Sequence, residues 1–168
     1  MRSDEASLFV RDGGMGKLSG KAMVALLRAV TENGKPFRFK ASGFSMYPFI
    51  RNQDILTISP LPPGYPRFGN VVAFLHPETG KLVVHRVVGR MGDSYLTKGD
   101  NSSELDGLIS ESSILGYVTN VEREGRSISL CLGPERALIA FLSHKNLLCP
   151  ALHLSCGLLC PLLRRIKT

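Results

Sequence analysis

The chain has no tryptophan, and aromatic residues make up only 7% of it. No basic run is interleaved with aromatics either, so a nucleic-acid partner is not expected. No stretch of about 20 consecutive apolar residues occurs, which argues against a plain transmembrane helix. The first twelve residues carry Asp4, Glu5 and Asp12 and no apolar core, so a secretory signal peptide is not expected. Cysteine is scarce and confined to the last quarter, at Cys131, Cys149, Cys156 and Cys160. Without a secretory signal these read as reduced thiols, not as a disulfide framework. They form no C-x-x-C pair, so no metal site is expected from them with His144 and His153.

What is present is a chain of 168 residues, the size of one domain with a sizeable core. Its 43% hydrophobic and 21% charged residues are those of a folded globular protein. The net charge of +7 suggests an anionic neighbour, such as a membrane surface. Residues 1–16 are polar and Gly-rich and are expected to fray. Residues 18–30 place Leu18, Met23, Val24, Leu26, Leu27 and Val30 at helical spacing, with Ser19 as a start signal and Asn33-Gly34 as a stop. From Pro36 the period becomes two. Strands are predicted over 37–40, 54–59, 71–75, 81–88, 94–97, 114–121 and 127–132. Residues 61–68 hold three prolines and a glycine and read as a loop, and 98–107 as a polar loop. The expected class is mainly β: an antiparallel β-barrel or sandwich with an N-terminal helix and a helical C-terminal tail. The units are a flexible N-terminus (1–16), a core domain (17–134) and a tail (135–168).

The chemistry centres on Ala41-Ser42-Gly43-Phe44-Ser45-Met46-Tyr47-Pro48. Ser45 follows a strand and sits on a turn that Pro48 keeps from coiling into a helix. A serine on a turn is inert unless a base and an orienting group reach it. His85 interrupts the apolar run Val83-Val84-His85-Arg86-Val87-Val88, on the face of Val83 and Val87 and opposite Arg86. Imidazole changes charge near neutral pH, which suits a general base. The loop from Thr97 to Gly107 offers Asp100 or Asp106 to orient it. That loop lacks the central Gly and terminal Glu of a calcium loop.

The blocks G-F-S-M-Y-P, G-N-V-V-A-F, V-V-H-R-V-V, T-K-G-D-N with a second Asp six residues after the first, and I-L-G-Y-V follow in this order over residues 37–121. Together they resemble the type I signal peptidase family, membrane-associated serine endopeptidases with an all-β core. His85 stands where the bacterial branch has Lys, which is the pattern of the archaeal and endoplasmic-reticulum branch. The resemblance implies Ser45 as nucleophile and His85 as general base. It favours Asp106 as the orienting acid, with Asp100 in the same motif. The oxyanion and substrate-binding positions fall on Ser42, Gly43 and Met46. It implies no cofactor, and an extended precursor peptide with small side chains before the cut. Three departures stand out. Gly43 replaces the usual Ser, Asn70 replaces an Asp, and the family's N-terminal membrane helix is not seen.

The tail has helical spacing over 135–142. An apolar stretch, 147–163, is broken by Pro150, Gly157 and Pro161 and followed by Arg164, Arg165 and Lys167. It is read as a peripheral membrane contact or a packed helix, on an otherwise cytoplasmic protein. Two other readings stand beside the endopeptidase. One is a self-cleaving repressor-type peptidase, which would want a Lys base and an N-terminal DNA-binding domain. The other is an inactive relative that binds peptides.

Overall fold

Phe37 and Phe39 are buried while Arg38 and Lys40 are not, and this alternation starts the sheet on which the molecule is built. The computed structural model describes residues 8–9, 20–129 and 132–148. A helix α1 (Gly20–Glu32) is followed by β2 (Phe37–Lys40), β3 (Ile55–Ser59), β4 (Val71–Leu75), β5 (Leu82–Met91), β6 (Ser94–Lys98) and β7 (Leu105–Ser110). Then come β8 (Ile114–Arg123), β9 (Arg126–Ser127) and helix α2 (Arg136–His144), while β1 (Leu8–Phe9) precedes α1. The sheet order is β1-β2-β3-β8-β4-β5-β6-β7, with β9 on β8. Every pairing is antiparallel except β1 on β2.

The mainly β class with helices at both ends is what the sequence predicts, but the sheet is not closed into a barrel, because β1 and β7 are separate edges. Its middle is apolar on both faces. Val71 and Ala73 of β4 join a large cluster with Phe37, Leu56, Ile58 and Val121, against which Leu27 of α1 and Ile139 of α2 pack. Val72 and Phe74 point the other way, to Val87, Tyr95 and Ile109. A strand buried on both faces reads as a continuous apolar run, which is what Val-Val-Ala-Phe-Leu is.

Helix α1 ends two residues later than periodicity predicts, and Leu18 and Ser19, where its start is expected, lie outside the described residues. Asn33-Gly34 stops it as expected: Gly34 takes φ +71°, and the Lys35 N–H bonds the Val30 carbonyl at 3.1 Å. The structure departs from the sequence pattern in several segments. Residues 98–107 are not all loop, since β7 begins at Leu105, and Leu8–Phe9 of the supposedly frayed N-terminus pair with Phe37 and Arg38. Of the predicted strand 127–132, Leu130 and Cys131 lie outside the described residues, and among the rest only Ser127 is in a strand, β9. Helix α2 matches the predicted tail helix. Its first turn lies so close to Gly69 that a Cβ there would sit 2.8 Å from the Arg136 carbonyl. Its C-terminal end is held by Lys98, whose Nζ donates to the Ser143 carbonyl at 2.6 Å and to the Asn146 side chain. Cys131, Cys149, His153, Cys156 and Cys160, and the tail beyond Leu148, lie outside the described residues.

The segment from Ala41 to Asp54 is a loop tied at its base. Ala41 N–H bonds the Asp54 carbonyl at 2.7 Å, and Gln53 N–H returns to Ala41 at 2.9 Å. The Asp54 carboxylate takes Arg123 in a two-pronged pair at 2.9 and 2.7 Å and the Arg51 N–H at 2.7 Å. Burial alone would raise the Asp54 carboxyl. The hydrogen bonds from Arg123 and Arg51 and the charges of both residues outweigh it and hold the group below its ordinary 3.8. A carboxyl lowered on folding contributes stability that is complete above the unfolded value and lost as pH falls through the folded one. Unfolding free energy should therefore drop as the medium is acidified from about pH 5 through the region below 3.8, and Asp54→Asn should flatten that slope. Equal slopes for the two proteins in urea titrations would refute the assignment.

Candidate active site

Strand β2 ends at Lys40, and the chain turns through Ala41, Ser42 and Gly43 to present Ser45 on a tight turn closed by Tyr47 N–H to the Phe44 carbonyl at 3.1 Å. Gly43 adopts φ +108°, a conformation that a side chain strains, which gives a reason for Gly where the resembled family has Ser. Ser45 is exposed, whereas Met46 beside it is buried in the large core cluster and fixes the turn. The Ser45 and Met46 N–H groups make no hydrogen bond among the described residues.

The sheet brings the base from β5. His85 Nε2 lies 2.8 Å from Ser45 Oγ, and His85 Nδ1 lies 2.7 Å from Asp106 Oδ2. With a carboxylate on Nδ1, that nitrogen carries the proton and Nε2 turns its lone pair to the serine hydroxyl. His85 is 9% exposed, with its ring edge-on to Phe74 at 6.3 Å between centroids. Asp106 stands on β7. Its Oδ2 also accepts the hydroxyl of fully buried Thr97 at 2.9 Å. Thr97 was not singled out in the sequence. It holds the same carboxylate oxygen that meets the imidazole.

Asp100, the other acid of the motif, is not at the histidine. It is fully buried in a two-pronged pair with Arg86, at 2.8 and 2.7 Å. Arg86 is on β5 next to His85 but on the opposite face, and also donates to the Gly69 carbonyl at 2.9 Å. The pair locks the Thr97–Asn101 segment against β5. From there the Asn101 N–H reaches the Ser45 carbonyl at 2.7 Å, so the same segment braces the serine turn. Gly99 sits at the crossing. A Cβ there would lie 2.8 Å from the Ser45 carbonyl and 3.0 Å from His85 Nε2, so a side chain has no room. Asn70 Oδ1 accepts the Arg67 N–H at 2.7 Å, a turn-closing role that an amide fills as well as a carboxylate.

Ser42, Gly43, Ser45, Met46 and His85 line one cleft of about 450 Å³. Phe39, Ile50, Leu56 and Val84 supply apolar walls, and Met23 of α1 closes one side. Lys98, the lysine closest in sequence to the motif aspartates, points away from the serine to the end of α2. Among the described residues no group of three His, Cys, Asp or Glu could hold a metal ion. None of the described helices is long and apolar enough to cross a membrane. No protein-family model matches the chain, and no match was found among curated proteins.

Proposed function

We propose that the chain is a serine endopeptidase that cuts a leader or precursor peptide after small residues, as the resemblance to type I signal peptidases suggests. The observation that carries the reading is the relay Ser45 Oγ, His85 Nε2, His85 Nδ1, Asp106 Oδ2, with both links below 3 Å. A nucleophile, a base and an orienting acid in hydrogen-bond contact are the parts of acyl transfer through a serine ester.

In this mechanism a peptide lies extended in the cleft and Ser45 Oγ adds to its carbonyl carbon while His85 Nε2 takes the hydroxyl proton. Asp106 keeps the imidazolium in place. Charge building on the carbonyl oxygen meets the Ser45 N–H, with the Ser42 hydroxyl within the same cleft. The C–N bond then breaks, His85 gives its proton to the departing amine, and the acyl group stays on Ser45. Water adds next, again losing a proton to His85, and the ester opens to the acid and free serine. With Gly43 there is no side-chain donor beside the nucleophile. One missing oxyanion donor costs about 2.7–4 kcal/mol of transition-state stabilisation, so slow turnover is expected. The lysine-based repressor mechanism is disfavoured because a histidine, His85, is the base in hydrogen-bond contact with Ser45.

Mass spectrometry of Ala-x-Ala precursor peptides should show cleavage by the wild type and none by Ser45→Ala. A fluorophosphonate probe should add to Ser45 alone. Cleavage retained by Ser45→Ala, or a wild type that neither cuts nor reacts, would sink the reading and leave a peptide-binding relative.

A further inference from the structure

We propose that the peptide taken by the Ser45 cleft carries an acidic side chain within about three residues of the bond that is cut, held by Lys40 and Arg51. This rests on the endopeptidase reading.

Among the described residues the cleft is lined by two cations, Lys40 and Arg51, and by no aspartate or glutamate. Both cations are exposed, and they stand at opposite ends of the loop that presents Ser45. Lys40 closes β2 before the loop leaves the sheet, and Arg51 follows Ile50 on its return. Other arginines of this region are neutralised: Arg38 by Glu122, Arg86 by Asp100 and Arg123 by Asp54. Lys40 and Arg51 form no ion pair among the described residues. Arg51 lies 5.8 Å from the Tyr47 ring centre, and its Nε is 3.5 Å from the Pro48 carbonyl, a long contact. Asp54 feels the Arg51 charge, but it is buried and already held by Arg123.

Two unpaired cations over apolar walls make a field that favours an anion, and the walls keep solvent from screening it fully. The cavity also holds Ser45 and His85, so a segment threaded past the nucleophile is the anion best placed to meet both charges. A volume of this size is on the order of 10 Å across, and an extended peptide rises about 3.3 Å per residue, which sets the three-residue limit.

The test uses peptides acetylated and amidated at their ends, with an Ala-x-Ala site. An Asp is walked through three positions on each side of the cut, each compared with Asn at the same place. kcat/KM is measured for the wild type and for Lys40→Glu/Arg51→Glu, and Kd for Ser45→Ala. At one position the Asp peptide should have a kcat/KM about tenfold above that of the Asn peptide and a Kd about tenfold below it. The double charge reversal should favour Lys over Asp there. Equal Asp and Asn peptides throughout would overturn the inference while cleavage left the endopeptidase standing. If no peptide is cut, the endopeptidase reading falls and the Kd ratio alone decides whether the cations bind a carboxylate. A preference confined to a free C-terminal carboxylate would also overturn it. So would a charge reversal that abolishes flotation with phosphatidylglycerol vesicles yet leaves the peptide ratio unchanged, since the cations would then serve lipid headgroups.

Discussion

Asp106→Asn is expected to lower kcat for peptide cleavage by about ten-thousandfold while leaving the protein folded. The carboxylate accepts from His85 Nδ1 at 2.7 Å and from Thr97 Oγ1 at 2.9 Å on the same oxygen. An amide in its place offers an N–H₂ as well as an oxygen. If the N–H₂ faces the ring, Nδ1 becomes the acceptor and the proton moves to Nε2, where it can no longer receive the Ser45 proton. If the oxygen faces the ring, the imidazolium of the transition state has lost its countercharge. Either way the loss falls on kcat, because nothing in the cleft that holds the peptide has changed. Thr97→Val should act in the same direction and more weakly, since it frees the carboxylate to turn without removing its charge. Acylation rates from single-turnover experiments, read beside urea midpoints, separate the chemical effect from instability. An Asp106→Asn enzyme within tenfold of the wild type would remove Asp106 from the relay.

The strands were legible because their side chains alternate, or, in β4, because both faces are buried and the run is unbroken. Strand β7 was not, because Ile109 is its one buried residue and the rest is exposed or half-exposed, so no period survives. Ser45 and His85 were legible as residue types suited to nucleophile and base. The residues alone left Asp100 and Asp106 open, and only the resemblance favoured Asp106, since the choice depends on the course of the chain from β6 to the edge strand β7. Thr97 shows the harder limit. Drawn as a regular hairpin from the Met91–Ser94 pair, β5 and β6 would set Thr97 against Val88, on the face away from His85. A register shift between Val87 and Gly89 sets it against Val87 instead, on the histidine's face. One residue in a bulge thus decides whether a hydroxyl reaches the site, and nothing in the local composition announces it. Gly43 and Gly99 are similar: a glycine is visible in any sequence, but the positive φ of the first and the crowding at the second are not.

The second aspartate carries the larger effect on stability. Asp100→Asn should destabilise the fold by about 3–5 kcal/mol, because it leaves the Arg86 guanidinium buried without its counter-charge. Both side chains are fully buried, so solvent cannot take over the lost interaction. Arg86 also bonds the Gly69 carbonyl at 2.9 Å and lies 5.8 Å from the Phe49 ring centre, neutral contacts that do not replace a carboxylate. The comparison is Arg38 with Glu122, equally short at 2.6 Å but about a quarter exposed on both sides, where water already shares the charge. Glu122→Gln should cost no more than about 1 kcal/mol, so depth and not distance sets the ranking. Removing both partners is the sharper experiment. Arg86→Met with Asp100→Leu takes away two desolvation penalties together with their attraction, and should recover most of the stability lost by Asp100→Asn. Activity should fall along with stability in the single variant, since Asn101, next to Asp100, holds the Ser45 carbonyl at 2.7 Å. In the double variant stability should return with activity only partly restored, because an apolar pair fills the space without fixing the angle of the Thr97–Asn101 segment. Urea midpoints at constant m-value measure the first effect, and kcat of the folded protein the second. If Asp100→Asn and Glu122→Gln shifted the midpoint equally, the buried pair would not be what locks that segment to β5.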